Sequence, residues 1–228
     1  MPLDFTPMKK LFLISSFLLL SACGEPTLVL DVEYSTDEPE LLDILETATE
    51  NVIERMAFAI ENQVPDIEVQ DKGDKLRFTV GLMHKATADQ LAESLARPLD
   101  VVFALQAEEG EAPDITNENY GDFVKTDLAG EHIQWVSAEG HESEDSGEAN
   151  VAISLKEDGG KIWSDIVQNN AGRKTGLFVR GGLVSLTAVK EGGTGSTIYI
   201  SGIPSFTLAR IFSEDIIVGT YAKFVVVK

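Results

Sequence analysis

Cysteine is nearly absent: the 228 residues hold one, Cys23. The chain therefore closes no disulfide on itself and builds no thiolate-rich zinc or iron–sulfur cage. Basic residues are scarce as well, 18 against 38 acidic, for a formal charge of −20. That balance excludes a phosphate-tracking nucleic-acid binder, which needs a basic surface to release counterions. Only three histidines occur, His84, His132 and His141, and none stands in a catalytic motif. Past Cys23 no uninterrupted apolar run approaches the ~18 residues of a spanning helix. Internal repeats and low-complexity blocks are missing too. What remains, 43% hydrophobic with 19 Gly and 8 Pro, is the composition of a globular chain that buries a core.

The amino end speaks for export. Met8-Lys9-Lys10 is a positively charged start, and residues 11–20 (LFLISSFLLL) form an apolar stretch of secretory rather than spanning length. Residues 1–22 read as a signal peptide, with either Met1 or Met8 as the true start. The stretch ends in Leu20-Ser21-Ala22-Cys23, which resembles the lipobox of bacterial lipoproteins. That resemblance implies cleavage between Ala22 and Cys23 and diacylglyceryl and fatty acyl (palmitate-type) groups on Cys23, so that the mature domain is held at a membrane by its lipid. Gly24, where inner-membrane retention commonly uses Asp, implies the outer membrane facing the periplasm, with the inner membrane as the alternative.

The mature chain splits by charge. Residues 24–150 carry 31 acidic and 7 basic residues, whereas residues 151–228 carry 6 and 9. In the first part, TLVLDVEY (27–34) alternates as a half-buried strand. Residues 41–63 place Leu42, Leu45, Val52, Met56 and Ile60 on one face, predicting an amphipathic helix announced by Asp37 and Pro39. Strands are predicted at 67–70 and 76–82, a second helix at 86–96 with Thr87 as cap, and a strand at 101–106 (VVFALQ). The order βαββαβ is the ferredoxin-like pattern. Residues 107–131, rich in carboxylates, read as a solvated connector. Residues 133–136 read as a short strand, and the acidic run 139–148 as an exposed loop, so that 107–149 as a whole is an acidic connector.

In the second part a strand (151–155) leads into a helix (160–170) stopped by Gly172. Strands at 177–179 and 183–189 flank Arg180-Gly181-Gly182, a hairpin whose glycines supply positive φ. A strand at 198–201 and a helix at 206–217 closed by Gly219 follow, and 222–228 is β-rich. The fold class is α+β.

This second part resembles the first periplasmic region, P1, of the protein-export subunit SecD and of fused SecDF. The resemblance rests on VAISL, a helix with Gly160 and Trp163, Asn169-Asn170-Ala171-Gly172-Arg173, the paired strands of GLFVRGGLVSLTAV, Ser201-Gly202, and Phe206-Thr207 opening a helix. It implies a P1 head at 150–219 on a ferredoxin-like P1 base at 23–106, completed by 222–228. There are departures. Arg180-Gly181-Gly182 replaces the family's Asp-Gly turn, the following Ser-Ala-Pro is missing, and Leu28-Val29-Leu30-Asp31 is only an echo of its Gly-Leu-Asp-Leu-x-Gly-Gly signature. No transmembrane bundle follows, so the family's proton-driven movement does not carry over.

Other chemistry was weighed on the residues. His132 has the chemistry of a general base or ligand but reads better as a packed or surface histidine. His141 with Glu139, Glu142, Glu144 and Asp145 lacks the ligand register of an EF-hand. Gly192-Gly193-Thr194-Gly195-Ser196 leads into a strand rather than a helix and reads as a loop, not a phosphate cradle. Phe178, Leu183 and Tyr199 are either core residues or the lining of a groove for unfolded chain. The expectation is a lipid-anchored envelope protein without catalytic residues, metal or cofactor. It binds exported polypeptide, the Sec translocase or another protein partner, and no nucleic acid. The alternatives are an assembly scaffold unrelated to translocation and, more remotely, an envelope hydrolase.

Overall fold

The computed structural model describes residues 27–97, 100–140, 148–189 and 195–227. The signal-peptide reading, Ala22 and Cys23, the residues His141, Glu142, Glu144 and Asp145, and Gly192, Gly193 and Thr194 lie outside the described residues. No described helix is long and apolar enough to cross a membrane.

The first sheet is built as the alternation predicts. Strand β1 (Thr27–Tyr34) buries Leu28, Leu30 and Val32, and helix α1 (Pro39–Glu61) returns across that face. Pro39 sits in the first turn of α1, where its missing N–H costs nothing, and Asn62 ends the helix in the left-handed conformation. Strands β2 (Asp66–Asp71) and β3 (Leu76–Gly81) and helix α2 (Lys85–Ala96) follow. Helix α2 starts at His84 rather than at Thr87, which is buried inside its first turn. The start is held instead from α1, whose Glu61 carboxylate accepts the backbone N–H groups of Met83 and His84.

Of the strands expected in this base, the one at 101–106 is missing from the sheet, while the terminal segment expected to complete it is present. Strand β4 (Val101–Gln106) leaves for a second sheet, and the C-terminal strand β12 (Ala222–Val226) takes the vacant edge, giving the order β12-β1-β3-β2 with all neighbours antiparallel. Burial explains the exchange. Strand β4 hides Val101, Phe103, Ala104 and Leu105, and a strand apolar on both faces belongs in the middle of a sheet rather than at its rim.

The expected connector is structured. It supplies β5 (Ile115–Asn117) and β6 (Gly121–Ala129), a single 3-10 turn at Gly130–His132, and β7 (Ile133–Glu139). Then come β8 (Ala149–Leu155), α3 (Glu157–Asn169), β9 (Lys174–Val179), β10 (Gly182–Ala188), β11 (Thr197–Ile203) and α4 (Phe206–Tyr221). Two more sheets result, a five-stranded one ordered β10-β9-β4-β6-β5 and a three-stranded one ordered β11-β8-β7. Helix α4 runs through Gly219 instead of stopping there. It is capped at its start by the Ser205 hydroxyl, which accepts Leu208 N–H at 3.2 Å.

One core joins the sheets. Residues from β1, α1 and α2 pack continuously with residues from β4, β7, β8, β11 and α4. Arg55 of α1 reinforces the junction with ion pairs to Glu214 and Asp215 of α4. The other face of the five-stranded sheet carries a smaller cluster of Ala104, Phe123 and Phe178.

Candidate functional site: a cleft between two sheet edges

Strands β10 and β11 are each the last strand of their sheet, and they line the same cleft, about 820 Å³ in volume. The floor is apolar and closed: Phe103 and Leu177 come from the five-stranded sheet, Trp163 and Val167 from α3. Ile198 and Ile200 face inward from β11, while Tyr199 stands 54% exposed on the neighbouring position. The fixed polar groups are hydroxyls. Thr175 donates to the Ala104 carbonyl at 3.4 Å, and Ser185 and Thr187 share a 3.3 Å hydrogen bond.

Charge is what this cleft lacks. A quarter of the chain is Asp, Glu, Lys or Arg, yet among the described residues none that lines the cleft is charged. The contrast with the first sheet is direct, because its edge strand β2 (DIEVQD) carries Asp66, Glu68 and Asp71. Charged side chains on an edge discourage further strand pairing. The sequences GLVSLTA of β10 and TIYISGI of β11 contain no such guard.

Both edges are shaped by local chemistry. Arg180 and Gly181 form the β9–β10 turn with φ of 53° and 77°. The hairpin thus has its two central positive angles at Arg-Gly, with an arginine where a glycine was expected. The half-buried Arg180 side chain reaches α1 and α2, donating to Met56 Sδ at 3.1 Å and to the Ser94 carbonyl at 3.5 Å. These contacts hold the residue in its uncommon conformation. On β11, Gly202 with φ of 78° lies within a break in the pairing to β8 between Ile200 and Ile203.

The other sequence candidates separate. Phe178 is 1% exposed and belongs to the core, whereas Leu183 is half-buried beside it and Tyr199 reaches the cleft. His132 serves the backbone: its Nδ1 accepts Ala129 N–H at 3.2 Å, closing the turn before β7. His84 is exposed at the start of α2, far in the chain from His132. Among the described residues no group of His, Cys, Asp and Glu is placed to hold a metal ion. A second hollow of about 720 Å³ lies between α1 and β7, lined by Ile44, Trp135, Glu38, Glu40, Glu157 and Lys156 among others. It is carboxylate-rich where the first cleft is neutral. Of the three residues that the sequence offered as the lining of a groove, only Tyr199 lines the cleft. The signal available was the absence of charge from two successive strands.

Residues 107–212, a little under half of the chain, match the family model of the SecDF P1 head subdomain. The match takes in β5, β6 and β7, upstream of the expected start at residue 150. Among solved structures, SecDF of Thermus thermophilus, described as a translocon-associated membrane protein, is 16% identical over 89% of this chain and 30% of its own, with a TM-score of 0.50. SecDF in a super-membrane-facing form is 17% identical over 89% of this chain and 29% of that one, at a TM-score of 0.48. A further SecDF structure, a membrane component that enhances protein export, is 18% identical and matched over 98% of its length, at a TM-score of 0.47. The chain thus spans about three-tenths of the first two SecDF chains. No curated protein matches it in sequence. The fold is α+β and SecDF P1-like.

Proposed function

We propose that this chain is a non-catalytic, lipid-anchored envelope protein that binds extended segments of exported polypeptides in the β10–β11 cleft. The observation that carries the reading is the pair of uncharged edge strands facing one cleft whose described lining residues are all uncharged. An extended segment laid along either edge completes its main-chain hydrogen bonds, which every sequence can offer. The apolar floor then takes alternate side chains without demanding a particular one. The likeness to the SecDF P1 head supports the link to export. Acylation of Cys23 supplies the membrane attachment, at the outer membrane by the Gly24 rule.

Substituting Leu186→Lys or Ile200→Lys tests the cleft by guarding an edge and charging the floor. With an unstructured fluorescent peptide from a secreted protein, binding to residues 23–228 is expected to weaken at least tenfold, about 1.4 kcal/mol. Glu40→Lys in the carboxylate-rich hollow is expected to leave it unchanged. Equal affinity in the edge variants, with thermal unfolding intact, removes the cleft from the reading. The intact mass of protein extracted from the envelope tests the anchor separately, since a mature chain must begin at an acylated Cys23.

The carboxylate-rich hollow beside Trp135 favours a second reading, a scaffold for one basic envelope partner. An unaltered set of secreted proteins after deletion, with one stoichiometric partner recovered, distinguishes it.

A further inference from the structure

The described residues include seven large apolar side chains that are exposed, and three of them gather where the chain enters its first strand. The strand register shows this. Thr27, the first residue of β1, lies opposite Gly81 of β3, and Gly81 lies opposite Asp66 of β2, so these three residues mark one end of the first sheet. Val64 stands two positions before Asp66 and is 59% exposed; Met83 stands two positions after Gly81 and is 54% exposed. Helix α1 runs back along β1 and finishes at the same end, with Phe58, 46% exposed, in its last turn. Glu61 ties the parts together, its carboxylate accepting Met83 N–H at 3.0 and 3.1 Å and His84 N–H at 3.1 Å.

Single exposed apolar residues are ordinary on a protein surface. What distinguishes these three is the chain leading to them. Only residues 24–26 separate Cys23 from Thr27, and the four steps of chain between them span at most about 14 Å even when fully extended. An acyl chain on Cys23 therefore keeps this end of the sheet beside the headgroups.

We propose that the Thr27 end of the first sheet is a membrane-docking tip, in which Phe58, Val64 and Met83 enter the headgroup boundary of the bilayer that holds the anchor. The proposal rests on the acylation of Cys23 put forward above. The short tether has already confined the protein, so shallow insertion of three side chains acts at high effective concentration and fixes orientation rather than merely adding affinity. The contact is apolar rather than electrostatic. Asp66 and Glu68 flank the tip and the chain is strongly acidic, so an anionic lipid surface repels it and added salt relieves that repulsion. The tip sets which way the β10–β11 cleft faces above the bilayer.

The test couples a single-chain lipid to Cys23, the sole thiol, in residues 23–228 and adds vesicles of phosphatidylethanolamine and phosphatidylglycerol. Amide hydrogen exchange of the unmutated protein is expected to slow at residues 58–67 and 81–85 and to stay unchanged at 39–47, the opposite end of α1. Protection absent from the tip, or found at 39–47 instead, overturns the proposal. A single lipid chain anchors only marginally, so the tip is visible in partitioning. The Phe58→Ser/Val64→Ser/Met83→Ser variant is expected to partition about tenfold more weakly, and the milder Val64→Ser variant to lose part of that. Equal partitioning of variants with wild-type thermal unfolding overturns the proposal, and so does wild-type binding that falls as salt is raised. Because the lipid is attached chemically, these results do not depend on whether the cell acylates Cys23, which the mass of the envelope-extracted protein reports.

Discussion

Phe123 and Phe178 meet edge to face, their ring centroids 5.1 Å apart and their planes at 79°. The geometry suits two aromatic quadrupoles, and it joins β6 to the strand two places away in the five-stranded sheet. Both rings are essentially inaccessible to water, at 0% and 1% exposure. Removing either ring leaves a void on the thinly covered face of that sheet. Phe123→Ala is expected to destabilise the fold by about 3–5 kcal/mol, and Phe123→Leu by less than half of that. Urea unfolding of the two variants checks the order. A loss within 1 kcal/mol for Phe123→Ala would mean that β6 is not packed as described.

Gly159 and Gly160 are neighbours in the first turn of α3 but differ in their surroundings. A Cβ on Gly159 would lie 2.8 Å from His132 Cβ and 2.9 Å from the His132 carbonyl oxygen, so helix and turn approach too closely for any side chain. A Cβ on Gly160 meets nothing nearer than Ser196 at 3.8 Å. Gly159→Ala is expected to lower stability by about 1–3 kcal/mol. Gly160→Ala, which only gains helix propensity, is expected to raise it by up to about 1 kcal/mol. Thermal unfolding of the pair decides, and effects of the same sign contradict the packing of α3 against the 130–132 turn.

Asp31 sits on β1 directly opposite Arg77 of β3. Arg77 Nε donates at 2.7 Å and Lys75 Nζ approaches at 2.7 Å. Hydrogen bonds from Arg77 first, then Lys75, hold its carboxyl well below the usual carboxylate range, against the opposing effect of burial. Because the folded value is depressed, the stability Asp31 contributes is complete above the unfolded value near 3.9 and is lost as pH falls below it. The Asp31→Asn variant is expected to be less stable than wild type at neutral pH, with the difference shrinking under acid. Urea midpoints of both proteins across the acid range measure this, and a gap that widens as pH falls refutes the assignment.

Strand β6 shows why part of the fold was hidden in the sequence. Its two buried residues, Phe123 and Leu128, lie five positions apart and serve different clusters, one on each face of the sheet. Between them run Val124, Lys125, Thr126 and Asp127. The pairing with β4 shifts register between Val102 and Ala104. An irregular ladder of this kind breaks the period-two pattern by which a strand is recognised, so the segment read as a solvated connector. The make-up of the cleft from two sheet edges was hidden for a different reason. Tyr199 and the Arg180 hairpin were visible as local features, but the proximity of β10 to β11 depends on two sheets meeting across α3.

By itself the amino-acid order determined the α+β class, the amphipathic α1 and the alternation of β1 and β8. It also showed the imbalance of charge and the single cysteine. Each is written in neighbouring residues, because a helix or a half-buried strand repeats its burial within a few positions. Only the tertiary structure decided that β4 leaves the first sheet for the middle of the second, that an acidic stretch becomes two paired strands, and that two uncharged edges share a cleft. Those outcomes depend on which distant backbone finds which partner and on whether one or both faces of a strand are covered. Strand pairing joins residues such as Leu30 and Val226 across nearly the whole chain, and no local pattern records that choice.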